Sequence, residues 1–97
     1  MPQKEAPVHA VVTKATIHDI DRGREFLNET GIPRLKQAPG FVAGNWVSLD
    51  DGTGRGMVIF ESEEAARAAA EQIRANPPAG DAVTIDSIEV GEVVGHA

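Results

Sequence analysis

The sequence predicts an α+β domain of ferredoxin-like order, β-α-β-β-α-β, with an antiparallel sheet carrying two helices on one face. Three observations carry this prediction. Runs rich in β-branched residues open and close the chain, at Val8–Ile17 and Val83–Val94. Two further strand-like runs, Phe41–Ser48 and Met57–Phe60, are separated by an Asp- and Gly-rich turn. The segments between these strands have helical spacing and capping residues.

The elements follow in order. Residues 1–7 read as a flexible N-terminal arm, and residues 8–97 as one domain, which is what 97 residues can support. After the first strand, Asp19 or Asp21 can cap a helix over roughly Arg22–Thr30. Gly31 and Pro33 are expected to interrupt that helix, with Pro33 opening a renewed turn that includes Leu35. Pro39-Gly40 ends the segment. Asp50, Asp51, Gly52, Gly54 and Gly56 read as the turn of a hairpin between the second and third strands. Ser62 is placed to cap a helix over Glu63–Ala75, with Glu63 and Glu64 in its electropositive first turn. Ala66, Ala69, Ala70 and Ile73 form its apolar stripe. Asn76-Pro77-Pro78 stops it. Gly91 suggests a bulge or bend in the last strand.

Both faces of the predicted sheet are apolar. Val58 and Phe60 point one way from the third strand, Met57 and Ile59 the other. On the second strand Phe41, Ala43 and Val47 oppose Val42 and Trp46. A sheet with one face in water alternates apolar with polar residues. A second subunit on the face without helices resolves this, so the pattern predicts a homodimer formed through the sheet.

Composition excludes several classes. The formal net charge is −6 and there are four aromatic residues, none of them Tyr. Nucleic-acid binding needs clustered cations, and RNA-binding sheets need exposed aromatics, so neither fits. No apolar run approaches the roughly 18 residues of a membrane span. The N-terminal residues lack a secretory apolar core. With no cysteine there is no thiolate site, which suits a reducing cytoplasm. The glycine run DDGTGRG lacks the lysine of a phosphate-binding loop and leads into a strand, so it reads as a hairpin.

The stretch PGFVAGNW, the acidic-Gly turn and GMVIFESEEAARAAAE together resemble the dimeric α/β-barrel superfamily, and most of all its antibiotic biosynthesis monooxygenase-like branch. They are also similar to stress-responsive A/B-barrel proteins. The resemblance extends from about Val8 to Val94. It implies ferredoxin-like subunits that pair through their sheets, with a last strand that often reaches across to the partner. It implies no single activity, because the superfamily holds cofactor-free monooxygenases, haem-degrading enzymes, isomerases, decarboxylases and domains without known chemistry.

Cofactor-free members use Asn and Trp side chains, among others, to hold a phenolic substrate. Asn45 and Trp46 are the matching candidates, but neighbours in a regular strand face opposite ways. If the hairpin pairs Trp46 with Met57, Asn45 shares the side of Val58 and Phe60 and becomes the polar anchor of a pocket those residues line. Trp46 is then core on the helix side. The expected ligand-binding set is therefore Asn45, Val58, Phe60 and, less directly, Trp46, with Asn45 and His18 as candidate catalytic groups. His18 follows the first strand at the sheet rim, where an imidazole can act as a general base. Each also has a plain structural reading: packing for Trp46, backbone hydrogen bonding for Asn45, and an exposed loop position for His18.

No haem role is expected, because the helix Glu63–Ala75 contains no His. His9 and His96 can meet across adjoining strands with Glu92, but their spacing is not a metal motif, and no metal or cofactor is expected. Asp86, Glu89 and Glu92, with Glu89 on the opposite face, read as protection of an edge strand. Arg22, Arg24 and Arg34 read as a solvated helix face. The functional expectation is a small homodimeric barrel that binds an apolar or aromatic ligand. The alternative is a cofactor-independent monooxygenase acting on an aromatic or polyketide-like substrate.

Overall fold

A computed structural model describes residues 8–95 of the chain. The N-terminal arm and His96 lie outside the described residues. The four strands are β1 (His9–Ile17), β2 (Phe41–Ser48), β3 (Thr53–Phe60) and β4 (Val83–Glu92). They form one antiparallel sheet in the order β2-β3-β1-β4. The helical segments are α1 (Ile20–Phe26), a π turn (Leu27–Gly31), α2 (Ile32–Lys36), α3 (Glu63–Ala75) and a short 3-10 turn at Gly80–Ala82. This is the ferredoxin-like order.

Asp19 caps α1, accepting a hydrogen bond from the Arg22 N–H at 3.1 Å. The expected break at Gly31 and Pro33 does not occur. Helical dihedrals continue from Phe26 through Ile32, and the π turn absorbs the proline. Its wider ring lets the Ile32 N–H reach the Leu27 carbonyl, so Pro33, which has no N–H, falls in the first turn of α2. Ser62 caps α3, its Oγ accepting from the Ala65 N–H at 3.1 Å.

Three strand features differ from the sequence reading. The hairpin turn is short, spanning only Asp50–Gly52, with Gly52 at φ 83°. Gly54 and Gly56 are therefore strand residues, paired with Ala15 and Thr13 of β1. On β4, Gly91 pairs regularly with Ala10, and the extra residue is instead Asp86, between the partners of Lys14 and Ala15. That bulge turns Asp86 to the face shared by Thr16, whose hydroxyl donates to it at 2.8 Å. Asp86 and Glu89 thus share a face, where strict alternation separates them. A second irregularity sits at Val42, between Phe41 opposite Phe60 and Ala43 opposite Ile59. It turns Phe41 to the helix side, where its ring meets Phe60 edge to face at 6.1 Å.

The core lies between the sheet and α3. Val11, Val58 and Phe60 from the sheet meet Ala66, Ala69, Ala70 and Ile73 from the helix, with Leu35 of α2 closing one side. Alanines at three of the four helix positions allow close approach, and Phe60 is fully enclosed (0 % exposed). By register, Val12, Ala43, Val47, Met57 and Ile59 point to the other face. There Val47 and Met57 are 51 % and 47 % exposed, although both are large and apolar.

Candidate functional site

The helix-facing positions of β3 shrink along the strand, from Phe60 through Val58 to Gly56 and Gly54. Those of β1 follow, from Val11 to Thr13 and Ala15. The α3 end of this layer is filled, and the α1 end is not. Between α1 and the two glycines lies a cavity of about 400 Å3. Its walls come from α1 (Ile20, Gly23, Leu27), from the Pro77–Ala79 segment and from Val83 and Ile85 of β4. Its polar groups include Thr13, Ser48, Asn28 and Arg24, and none of the residues lining it is acidic or a histidine.

Trp46 forms the floor. It pairs with Gly56, and its indole lies across Gly44 and Gly56. A Cβ at Gly44 would stand 2.7 Å from the indole Cη2, and one at Gly56 3.0 Å from Cδ1. Only glycine at both positions lets the ring lie flat on the sheet. Both Trp46 and Val58 line the cavity.

The structure corrects the expected anchor. The hairpin pairs Asn45, not Trp46, with Met57. Asn45 therefore shares the open face with Met57, is exposed there, and cannot line a pocket with Val58 and Phe60. The glycines at 54 and 56 extend β3, and the indole takes the space they leave. Phe60 is sealed in the α3 core and does not reach the cavity wall. His18 stands at the sheet rim, exposed, with Nε2 2.6 Å from the Thr84 hydroxyl, and does not line the cavity. His9 Nε2 lies 4.0 Å from Glu63 Oε1. Among the described residues no group of three His, Asp or Glu is placed to hold a metal.

Sequence reasoning counted the two glycines as turn residues and so missed the space they leave. The available signal was the period-two spacing of Gly54 and Gly56 directly ahead of an apolar run, which marks a strand face stripped of side chains.

Two carboxylates are held below their ordinary pKa range. Asp51 accepts hydrogen bonds from the Thr53 hydroxyl and amide in the hairpin turn. Glu63 is hydrogen-bonded by the Arg67 guanidinium, one helical turn along α3, at 2.7 Å. Neither touches the cavity.

No protein-family model matches the chain, and no curated protein matches it. Solved structures do. The chain is similar to SnoaB, a cofactor-independent oxygenase from Streptomyces nogalater, at 19 % identity over 95 % of this chain and 96 % of that one, with a TM-score of 0.62. An Asn→Ala mutant of SnoaB matches at 17 % identity over the same shares, with a TM-score of 0.60. MupZ from Pseudomonas fluorescens matches at 13 % identity over 93 % of this chain and 71 % of that one, with a TM-score of 0.64. The fold is therefore one that this chain shares with SnoaB and MupZ. At these identities the likeness shows fold alone.

Proposed function

We propose that the protein binds a small aromatic or apolar molecule in the cavity between α1 and the sheet. The carrying observation is the hollow itself: about 400 Å3, walled mainly by apolar side chains and floored by the indole of Trp46. That volume lies within the range of small-molecule sites, and such sites are mostly apolar with a few placed polar groups. A flat aromatic ring would stack on the indole. Trp46 is the sole tryptophan, so its fluorescence reports this cavity alone. Titration with flat aromatic compounds is expected to quench it saturably. Unaltered emission across such a panel removes the proposal.

The binding unit is a homodimer joined through the open sheet face, in a cysteine-free chain suited to the cytoplasm. Exposed Met57 and Val47 in the middle of that face support the pairing. Sedimentation is expected to give twice the 10.3 kDa chain mass, and a 10.3 kDa species at micromolar concentration refutes it.

A second reading, a cofactor-independent oxygenase acting on an aromatic or polyketide-like substrate, is favoured by the likeness of fold to SnoaB. It asks for a base to deprotonate a phenol, whereas the residues lining the cavity include no carboxylate or imidazole. Oxygen uptake with anthrones and hydroquinones tests it, and consumption no faster than in buffer eliminates it.

A further inference from the structure

On the face of the sheet without helices, Val12 stands between Met57 of β3 and Glu89 of β4. Two residues along β1, on the same face, Lys14 stands between Arg55 and Ser87. Lys14 and Arg55 are therefore like charges directly opposite across two inner strands, a pairing that destabilises an isolated sheet. Arg55 turns back to its own strand, donating to the Gly54 carbonyl at 3.0 Å. Lys14 and Glu89 are exposed, and neither makes a hydrogen bond or ion pair among the described residues. Asp86, also on this face, is engaged by the Thr16 hydroxyl.

These charges limit what can cover the face. A surface that buries the exposed Met57 and Val47 also buries Lys14 and Glu89, which lie among them. A buried charge left without a counter-charge is strongly unfavourable. The covering surface must offer an acid to Lys14 and a cation to Glu89, and this same face offers both. Register places Lys14 and Glu89 as diagonal neighbours on adjacent strands, about 7–8 Å apart. A two-fold axis lying in the plane of contact and midway between them exchanges the two, so that each copy's Lys14 meets the partner's Glu89. The same axis passes close to Val12 and Met57, which then meet their own counterparts, and it carries Arg55 towards the partner's Glu89.

We infer that the open face joins a second copy of this chain through reciprocal ion pairs between Lys14 and the partner's Glu89, set around an apolar centre of Val12 and Met57, and that these charges fix how the two sheets lie on each other. The inference rests on the homodimer reading and adds what determines its geometry. A two-fold contact is self-complementary, so one altered charge is felt twice. Such pairs work against wrong arrangements as much as for the right one. With the two-fold axis parallel to the strands and between β1 and β3, Lys14 would face the partner's Arg55 and be repelled.

Charge reversal, followed by sedimentation over a dilution series, tests the pairing. Lys14→Glu and Glu89→Lys are each expected to weaken the dimer by about a hundredfold or more. Both positions are exposed in the single chain, so both variants should keep the wild-type circular dichroism. Mixed in equal amounts, the two variants should form a heterodimer within about tenfold of the wild-type affinity, because both contacts between them again set opposite charges together. Lys14→Gln and Glu89→Gln, which remove charge without reversing it, should each weaken the dimer by about tenfold, and they carry the test if a reversal does not fold. Variants that dimerise as the wild type does, or reversed variants that fold as monomers and do not recombine on mixing, overturn the pairing and leave the homodimer standing. A wild-type mass of 10.3 kDa at micromolar concentration overturns the homodimer and the pairing with it.

Discussion

The two halves of the helix-facing layer are built from one sheet yet finished oppositely. Under α3, Val11, Val58 and Phe60 fill the space to the helix, and the alanines of α3 let it settle onto them. Under α1, the same strands present Thr13, Ala15, Gly54 and Gly56, and a hollow remains. The difference lies in side-chain volume at alternate positions of β1 and β3, since both halves share the sheet and its twist. Where a filled end and an empty end share two strands, the filled end holds the fold and the empty end is free to serve a ligand.

Truncating one isoleucine in each half separates the two most sharply. Ile73 is almost fully buried between α3 and the sheet. It also reaches the inner wall of the hollow, so Ile73→Ala deletes buried core atoms and widens that space, and should cost about 2–5 kcal/mol. Ile17 borders the existing hollow and is only half-buried. Ile17→Ala removes a methyl-rich wall but creates little new void, so about 1 kcal/mol is expected. Denaturant midpoints for the two variants check this. Equal losses would mean that the α1 half is packed as tightly as the α3 half.

The seam between the halves is the next point of strain. Gly31, in the π turn, faces the backbone of Pro78 just beyond α3, and a Cβ there would clash with the Pro78 carbonyl oxygen. Gly31→Ala must push α1 and the Pro77–Ala79 wall apart. We expect a loss of about 1–3 kcal/mol, with the largest amide shifts at the cavity wall and smaller ones in the α3 core. Shifts centred on Ala66 and Ala69 instead would show that the halves are not separable.

The sequence made the dense half readable and the hollow half hard to read, for a physical reason. Ser62 followed by Ala66, Ala69, Ala70 and Ile73 is a local pattern: a cap and one helical stripe, each decided by residues a few positions apart. Element order came through for the same reason. The site depends on which residue of β2 stands opposite which residue of β3, and that register is a non-local choice. Counting Gly54 and Gly56 as turn residues lengthened the apparent loop by four positions. With the register left open, Asn45 took the place that belongs to Trp46. The bulges at Val42 and Asp86 have no residue signature, because a bulge needs only an unmatched position and not a particular side chain.

The smallest effect expected is an acid response confined to the hollow end. The hairpin tip ties that end together: Gly52 accepts from the Ile17 N–H at 2.9 Å, and Asp51 accepts from the Thr53 N–H at 3.0 Å. The Asp51 carboxyl is held below its ordinary value of 3.8 by its bonds from Thr53. A depressed pKa contributes stability that is fully present above the unfolded value and is lost as pH falls through the folded one. Glu63, at the start of α3, is likewise held below 4.5 by Arg67, but that pair is an exposed i, i+4 contact on a helix already anchored by its buried stripe. Such pairs contribute little. Below pH 3.8, therefore, the Thr53 amide resonance should lose its downfield shift, and hydrogen exchange at Ile17 should quicken. The amides of Ala69 and Ile73 should stay protected through the same range. Simultaneous loss at both ends would show that the packed half does not stand independently of the hollow one.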